Sequence, residues 1–298
     1  MNEREWLTER FEEHKPQLRA VAYRMLGSVV EADDALQETW LRIRDQDSGA
    51  VENMQAWLTT VVGRVCLNML RSRRTRREQF SASHVPDPIV SLHDSPEPER
   101  EALLADSVGL ALLVVLDALS PAERFAFVLH DMFGRPFSEI AVALDRSEAA
   151  TQQLASRARR RVQDAPEPDR DLVRQRHLVD AFFAAARDGD FDALVQVLHP
   201  DVVLRIDGGT LRQDASLLLR GAEEVSRHTR TYSGLHPHVV PVVVNGMAGA
   251  LVVPHGRPFA VMGFTISHER IIEIEVLLDP ERLARLDLTI APSEDSDR

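Results

Sequence analysis

The chain has one cysteine in 298 residues. Intrachain disulfides and cysteine-rich zinc sites are therefore excluded. That cysteine, Cys66, lies between Val65 and Leu67, so a buried thiol is expected rather than a reactive one. Aromatic residues are only 5%, too few for an aromatic base-stacking sheet. No apolar run approaches the roughly 18–20 residues of a membrane span, and the opening MNEREWLTERFEEHK is too charged for a secretory signal. A cytoplasmic location without membrane attachment is expected. Net charge is −12, but binding to polyanions depends on local charge.

Against that acidity, one stretch is purely basic. In Trp57 to Arg77, WLTTVVGRVCLNMLRSRRTRR, the residues Trp57, Leu58, Val61, Val62, Val65, Leu67 and Leu70 recur at helical spacing. Thr60, Arg64, Asn68 and Arg71 share another side. The apolar pattern then stops, while Arg71, Arg73, Arg74, Arg76 and Arg77 continue with no acid among them. Such a run matches a phosphate backbone; a solvated helix end favoured by the helix dipole is the plainer alternative. Trp57, with apolar neighbours at helical spacing, reads as core rather than as a stacking platform.

Upstream, residues 6–26 read as one helix with a break or turn near Pro16. A second helix is expected from about Val30 to Arg44, with Ala35, Leu36, Thr39, Trp40 and Ile43 inward and Asp33, Asp34, Gln37, Glu38 and Arg42 outward. Downstream, residues 78–105 hold Pro86, Pro88, Pro96 and Pro98 among Ser, Asp and Glu, an extended acidic linker with no core of its own. Ser120-Pro121-Ala122-Glu123 is a helix start with a capping box, and Gly134 closes that helix. Next, RPFSEIAVALDRSEAATQQLASRARRRV reads as two helices joined by a tight turn at Asp145-Arg146. Ser147 caps the second, which presents Gln152, Gln153, Ser156, Arg157 and Arg160 outward. Gln and Arg are the side chains that read adenine and guanine edges, so a helix-turn-helix is expected.

Asp164 to Asp171 is a second Pro/acid joint. Beyond it two helices precede strand-like runs at 202–207, 239–245, 250–253, 259–267 and 270–277, an α+β domain with an antiparallel sheet. Arg205 and Asp207 alternate onto one strand face. With Gly208, Gly209, Tyr232, His236 and His238 they are candidates for a pocket mouth or regulatory contact; Asp207-Gly208-Gly209 also reads as a strand-ending turn.

Three segments carry a family resemblance. EADDALQETWLRI is similar to the polymerase-docking helix of bacterial sigma factors, AWLTTVVGRVCLNMLRSRRTRRE to their −10-element helix, and LSPAERFAFVLHDMFGRPFSEIAVAL with the helix after it to their −35-reading domain. Their order and spacing resemble the extracytoplasmic-function group. RDGDFDALVQVLHPDVVLRIDGG resembles the opening of the SnoaL-like, NTF2-like cone fold, and a sigma factor with such a tail resembles the SigJ-type subgroup. That subgroup carries Asp-Gly-Gly-Gly-Lys, Asn-Pro-Asp-Lys-Leu and Pro-Glu-Pro elements. Here they stand as Asp207-Gly208-Gly209-Thr210-Leu211, Asp279-Pro280-Glu281-Arg282-Leu283 and Pro86-Asp87-Pro88.

The resemblance implies a multidomain chain: an all-α sigma region 2 (1–80), a linker (81–105), an all-α sigma region 4 with the helix-turn-helix (106–163), a second linker (164–172), an α+β NTF2-like cone domain (173–290) and an acidic tail (291–298). It implies a non-enzymatic protein that binds core RNA polymerase, at its clamp and flap, and promoter DNA. Asp33, Asp34, Gln37, Glu38 and Arg42 would dock on polymerase. Thr60, Arg64, Asn68, Arg71, Arg73 and Arg74 would engage the −10 element, and Ser147, Gln152, Gln153, Ser156, Arg157 and Arg160 the −35 element. No metal or cofactor is expected beyond a possible unknown small ligand in the cone domain, which would modulate activity. Two other readings of the same residues are a ligand-responsive helix-turn-helix regulator and an NTF2-like isomerase or cyclase.

Overall fold

The computed structural model describes residues 3–44, 53–76, 83–91, 109–163, 168–231, 238–286 and 288. The chain forms two compact units. One comprises 1–79, 102–104 and 112–165; the other comprises 80–101, 105–111 and 166–298.

The first unit is helical. Helix α1 (Glu3–Leu26) runs unbroken through Pro16, contrary to the expected break. Proline removes one backbone donor, but Leu7 and Phe11 before it and Leu18, Val21 and Met25 after it are all buried, which holds both halves on one axis. Helix α2 (Val29–Ile43) starts at Ser28, whose Oγ accepts from the Glu31 N–H, and buries Ala32, Ala35, Leu36, Thr39 and Ile43. Helix α3 (Met54–Arg76) buries Leu58, Val62, Val65, Leu67 and Leu70, and Cys66 with them. Burial pushes that thiol's pKa well up, so it stays protonated.

Helix α4 (Leu110–Asp117) precedes α5 (Pro121–Phe127), where the expected capping box is present in both directions: Ser120 Oγ accepts from the Glu123 N–H while the Glu123 carboxylate takes the Ser120 N–H. A π-helical turn, Val128–Met132, extends α5, and Gly134 ends it at φ 66°. Helix α6 (Phe137–Leu144) closes at Asp145, which takes the left-handed conformation (φ 55°) that the turn demands. Helix α7 (Glu148–Gln163) follows, burying Thr151, Leu154, Ala155 and Ala158.

Within this unit α3 packs against α5 and the turn that extends it. A Cβ on Gly63 would stand 3.0 Å from Phe125 and 3.1 Å from Leu129, so glycine allows the close approach. Arg124 is buried, donating from Nε to the Arg24 carbonyl (3.0 Å) and pairing with Asp117.

In the second unit, α8 (Leu172–Asp188) and α9 (Phe191–Val197) precede β2 (Leu198–Asp207), β3 (Leu217–Arg220), α10 (Ala222–Thr229), β4 (Val239–Val244), β5 (Met247–Val252), β6 (Ala260–Ser267), β7 (Arg270–Leu277) and α11 (Pro280–Leu283). With β1 (Val90–Ser91) they build a seven-stranded sheet in the order β1-β4-β5-β6-β7-β2-β3. Helices α8 to α10 bury Val179, Phe182, Leu194 and Val225 against it. Register shifts in β2–β7 and β6–β7 are bulges that bend a sheet.

The α+β class is as expected, with three corrections. The sheet is mixed, because β2 pairs β7 in parallel. Strand β3, the short apolar run Leu217-Leu218-Leu219 before Arg220, was not anticipated; it has no period-two alternation to announce it. The middle of the linker is not solvated. Val85 is fully buried, Val90 and Ser91 pair with Val244 and Val243 as an edge strand, and the Ile89 N–H donates to Asn245 Oδ1 at 2.9 Å. A proline-rich segment can join a sheet at its edge, where missing donors are tolerated; residues 92–108 lie outside the described set.

Candidate nucleic-acid interface and tail network

On α2, Asp33, Asp34, Gln37, Glu38 and Arg42 form one exposed stripe. Asp33 takes both Nε and Nη2 of Arg19 (2.7 and 2.8 Å), and Glu38 pairs with Arg42 at 2.8 Å. Leu41 lies in this stripe and is 46% exposed. Sequence reading missed it, although an apolar residue breaking a polar face is a visible mark.

On α3, Arg64, Asn68 and Arg71 are exposed and Thr60 is half-buried. Arg73 is different. It is half-buried, pairs with Glu31 and donates to the Leu26 carbonyl at 3.1 Å. Its charge is met by an acid and by the last carbonyl of α1, unlike the exposed Arg64 and Arg71 with which it was grouped for the −10 element. The Arg74 side chain lies outside the described residues. Trp57 is half-buried and, with Asn53, Thr60 and Arg64, lines a groove of about 440 Å³ whose other wall is Arg135, Glu139 and Val142. It is not simple core, as expected from its neighbours. Val142 is 72% exposed.

On α7, Gln152, Gln153, Ser156, Arg157 and Arg160 are all exposed on one side, as the helix-turn-helix pattern requires. Ser147 Oγ accepts from the Ala150 N–H at 3.2 Å, so this hydroxyl caps the helix. Arg159 pairs with Asp131, and Arg161 lies 3.6 Å from Glu123. Burial alone would raise the Glu123 carboxyl, but hydrogen bonds from Ser120 and the charges of Arg161 and Arg157 hold it below its usual value.

The tail candidates separate. The cavity of the C-terminal domain is lined by Leu204 and Ile206. Arg205 and Asp207 therefore project from the opposite face of β2 and do not line a pocket mouth, a correction the apolar alternation of Leu204 and Ile206 already foreshadows. Tyr232 and His236 lie outside the described residues. His238 meets the His255 ring at a tilt, with centroids 5.7 Å apart, and is not among the residues that line the cavity.

Asp207 is 6% exposed and ties three segments together. Its Oδ2 accepts from the Val85 N–H (3.0 Å) and from Arg282 Nη1 (2.7 Å), and lies 3.0 Å from His84 Nδ1; its Oδ1 accepts from the Gly209 N–H (3.0 Å). Arg282 also pairs with Asp87 through Nε (2.5 Å) and donates to the Val85 carbonyl. Burial would raise the Asp207 carboxyl, but the hydrogen bonds from His84 and Val85 and the Arg282 charge pull it far below the usual carboxylate range. Gly209 has φ 62°, and a Cβ there would collide with the Asp279 carboxylate. Asp279 in turn caps α11, which carries Arg282. The half-kept Asp-Gly-Gly element, the Asp-Pro-Glu-Arg element and Pro86-Asp87-Pro88 are thus one network.

Beside it, Arg205 pairs in register with Glu275 on β7. Glu275 is 1% exposed; burial and the neighbouring Glu273 raise its pKa, with Arg205 opposing. Among the described residues no cluster of His, Cys, Asp and Glu suits a metal ion, and no helix is long and apolar enough to cross a membrane.

The Sigma-70 region 2 family matches residues 10–76, and the Sigma-70 region 4 family matches residues 109–162. The chain is 38% identical to the ECF RNA polymerase sigma factor SigJ of Mycobacterium tuberculosis, over 89% of this chain and 86% of that protein. It is 33% identical to the probable ECF RNA polymerase sigma factor SigI of the same species, over 91% and 92% of the two chains. A crystal structure of the M. tuberculosis SigJ superposes with a TM-score of 0.76 at 33% identity, covering 94% of this chain and 99% of that one. The chain belongs to the extracytoplasmic-function sigma factors, in a SigJ-like group with an α+β C-terminal domain, and its regions 2 and 4 fit promoter-specific transcription initiation.

Proposed function

We propose that this protein docks on core RNA polymerase through the exposed stripe of α2, reads the −35 element with α7, and engages the −10 element with α3, while its C-terminal domain holds the linker and sets how readily the two DNA-reading regions are used. The observation that carries the reading is the single exposed row of Gln152, Gln153, Ser156, Arg157 and Arg160 on a helix that follows a tight left-handed turn at Asp145. Those side chains suit base edges and phosphates of the major groove. Asp33, Asp34, Gln37, Glu38 and Arg42 around Leu41 suit the polymerase clamp, an apolar contact ringed by charge. Region 4 would meet the flap. This is work inside the cytoplasm.

At the −10 element one strand must leave the duplex, so its backbone can be gripped by Arg64 and Arg71 and a base held near Thr60 and Asn68. Because Thr60 and Arg64 share a groove with Arg135, Glu139 and Val142, that grip requires α6 to move away from α3 on the polymerase. The network of Asp207, Arg282 and Asp87 fastens the linker between the two regions, which supports a regulatory role for the C-terminal domain. A non-catalytic role is supported by its cavity wall, where His228 is the one ionisable side chain among the described residues; acid–base catalysis calls for partners.

The test is in vitro transcription with bacterial core polymerase and a promoter library. Specific initiation is expected, and Gln153→Ala should relax the preference at one −35 base pair by about 1–3 kcal/mol without changing thermal stability. Duplex binding without polymerase, and no initiation even at low salt, would overturn the reading in favour of a helix-turn-helix regulator.

A further inference from the structure

The core of the C-terminal domain is not filled. Its cavity holds about 90 Å³, several times the ~10–15 Å³ that one water requires. Phe182 and Phe183 from α8 stand edge-on to each other and to Phe264, with ring centroids 5.4 to 5.9 Å apart. The first two line the cavity, with Phe259 and Met262 on the sheet side. Among the described residues the wall has two polar side chains, His228 and Thr229. The Thr229 hydroxyl donates to the Val225 carbonyl at 2.8 Å. Burial lowers the His228 pKa below its ordinary value, so the ring is neutral near pH 7. An apolar, aromatic-walled space with a neutral imidazole disfavours ions and favours an uncharged guest.

The cavity wall also runs directly into the linker anchor. Ile206 lines the cavity and the next residue is Asp207. Leu278 lines it as well, donates its N–H to the Asp207 carbonyl (2.7 Å), and precedes Asp279, the cap of α11. Arg212 spans the remaining gap. Its guanidinium covers the Phe259 ring at 4.8 Å and donates to the Leu278 carbonyl at 3.1 Å, while its own carbonyl packs on Gly208.

We propose that this cavity binds a small uncharged molecule, an aromatic or branched aliphatic skeleton of about five to eight heavy atoms with one polar end beside His228, and that occupancy is felt at the anchor formed by Asp207 and Arg282. The second half rests on the regulatory role proposed above; the first half stands without it. A guest that moves Phe259 or Leu278 displaces Arg212 and the Gly208–Gly209 turn, and these position the carboxylate that accepts from Val85.

The experiment uses the full chain and three probes: phenol, cyclohexanol and benzoate. Phenol and cyclohexanol should give saturable binding by calorimetry with Kd of about 1 mM or tighter, and benzoate at least tenfold weaker binding. Ala260→Leu narrows the cavity from the sheet, and Met262→Trp fills it from a half-buried position. Each should weaken phenol binding at least tenfold, and thermal unfolding identifies a variant that has lost its fold. Phenol should also change hydrogen exchange of the Val85 amide at least threefold, and not in the filled variants. Absence of saturable binding at tenfold the expected Kd overturns the site, as does phenol binding unchanged in folded forms of both variants. Binding that leaves Val85 exchange unchanged overturns the coupling alone. None of these readouts involves transcription, so a failed promoter assay leaves them intact.

Discussion

Asp207 and Glu275 lie two rungs apart in the same β2–β7 ladder, both almost fully buried, and burial has opposite outcomes for them. Asp207 is met by the Val85 and Gly209 N–H groups, by His84 and by Arg282, and its charge is stabilised. Glu275 faces another carboxylate, Glu273, and a guanidinium, Arg205, whose Nε and Nη1 have no hydrogen-bond partner in the structure; its charge is disfavoured. Depth does not set the sign. The number of donors aimed at the oxygens does. Apart from Gly209, the donors at Asp207 come from the linker and from α11, so a charge that looks like a local strand end fastens segments far apart in sequence.

The largest expected effect breaks the Asp207 side of this contrast. Asp207→Asn keeps the shape and removes the charge, leaving the half-buried Arg282 with Asp87 and the Val85 carbonyl. Breaking one partner of such a pair costs about 3–5 kcal/mol. Denaturant unfolding of the full chain should show the loss, with faster exchange of the Val85 amide as its local signature.

A pH series sharpens the contrast. The Asp207 carboxyl is depressed in the folded state, so its contribution is present above about pH 4, where the unfolded carboxylate titrates, and is lost only as pH falls through the still lower folded value. The Glu275 carboxyl is raised, so its contribution is complete below about pH 4.3 and is lost as pH rises toward the folded value. Acidification from pH 8 to 5 should therefore stabilise the C-terminal domain through Glu275 and leave the linker anchor intact. His228, whose pKa burial lowers, acts in the opposite direction as its ring protonates, so the Glu275 part is read as the difference between the wild type and Glu275→Gln; no difference across that range, or an anchor that opens within it, would contradict the assignment.

The smallest effect isolates Glu275. Glu275→Gln removes a titratable group whose charged form is penalised. At pH 8 it should be neutral or stabilising by about 1 kcal/mol, and it should flatten the pH dependence just described. A destabilising Asp207→Asn beside a Glu275→Gln that is neutral or stabilising, in matched melts, is the result that the structure demands.

Features fixed within a few residues were legible in the sequence. The Ser120–Glu123 capping box, the left-handed Asp145, the Ser147 cap and the outward row on α7 depend on neighbours in the chain, and helical periodicity displays them. Features that depend on distant partners were not. Val85 and Val90 looked like parts of a tether because their partners, Asp207 and Arg282 for Val85 and β4 for Val90, lie far downstream. Arg73 looked like part of a uniform basic run because Glu31, which neutralises it, is on another helix. The alternation of Arg205 and Asp207 was readable, but which face of β2 holds the cavity depends on α8 and α10. Proline in α1 was misread for the same reason, since buried contacts on both sides of Pro16 outweigh one missing donor.

The linker strand has a consequence for how the protein is made and cut. Residues Val90 and Ser91 leave the ribosome long before Val243 and Val244, so the sheet's outer edge is completed by a segment that has been waiting since early synthesis, a long loop closure of the kind that slows folding. A fragment beginning at the second Pro/acid joint would carry β4 without its cover, a valine-rich ladder with open amides and carbonyls, and such an edge recruits other copies of itself. The C-terminal domain is therefore assembled from more than one stretch of the chain, and an excision that keeps only the last of them leaves an edge open to self-association.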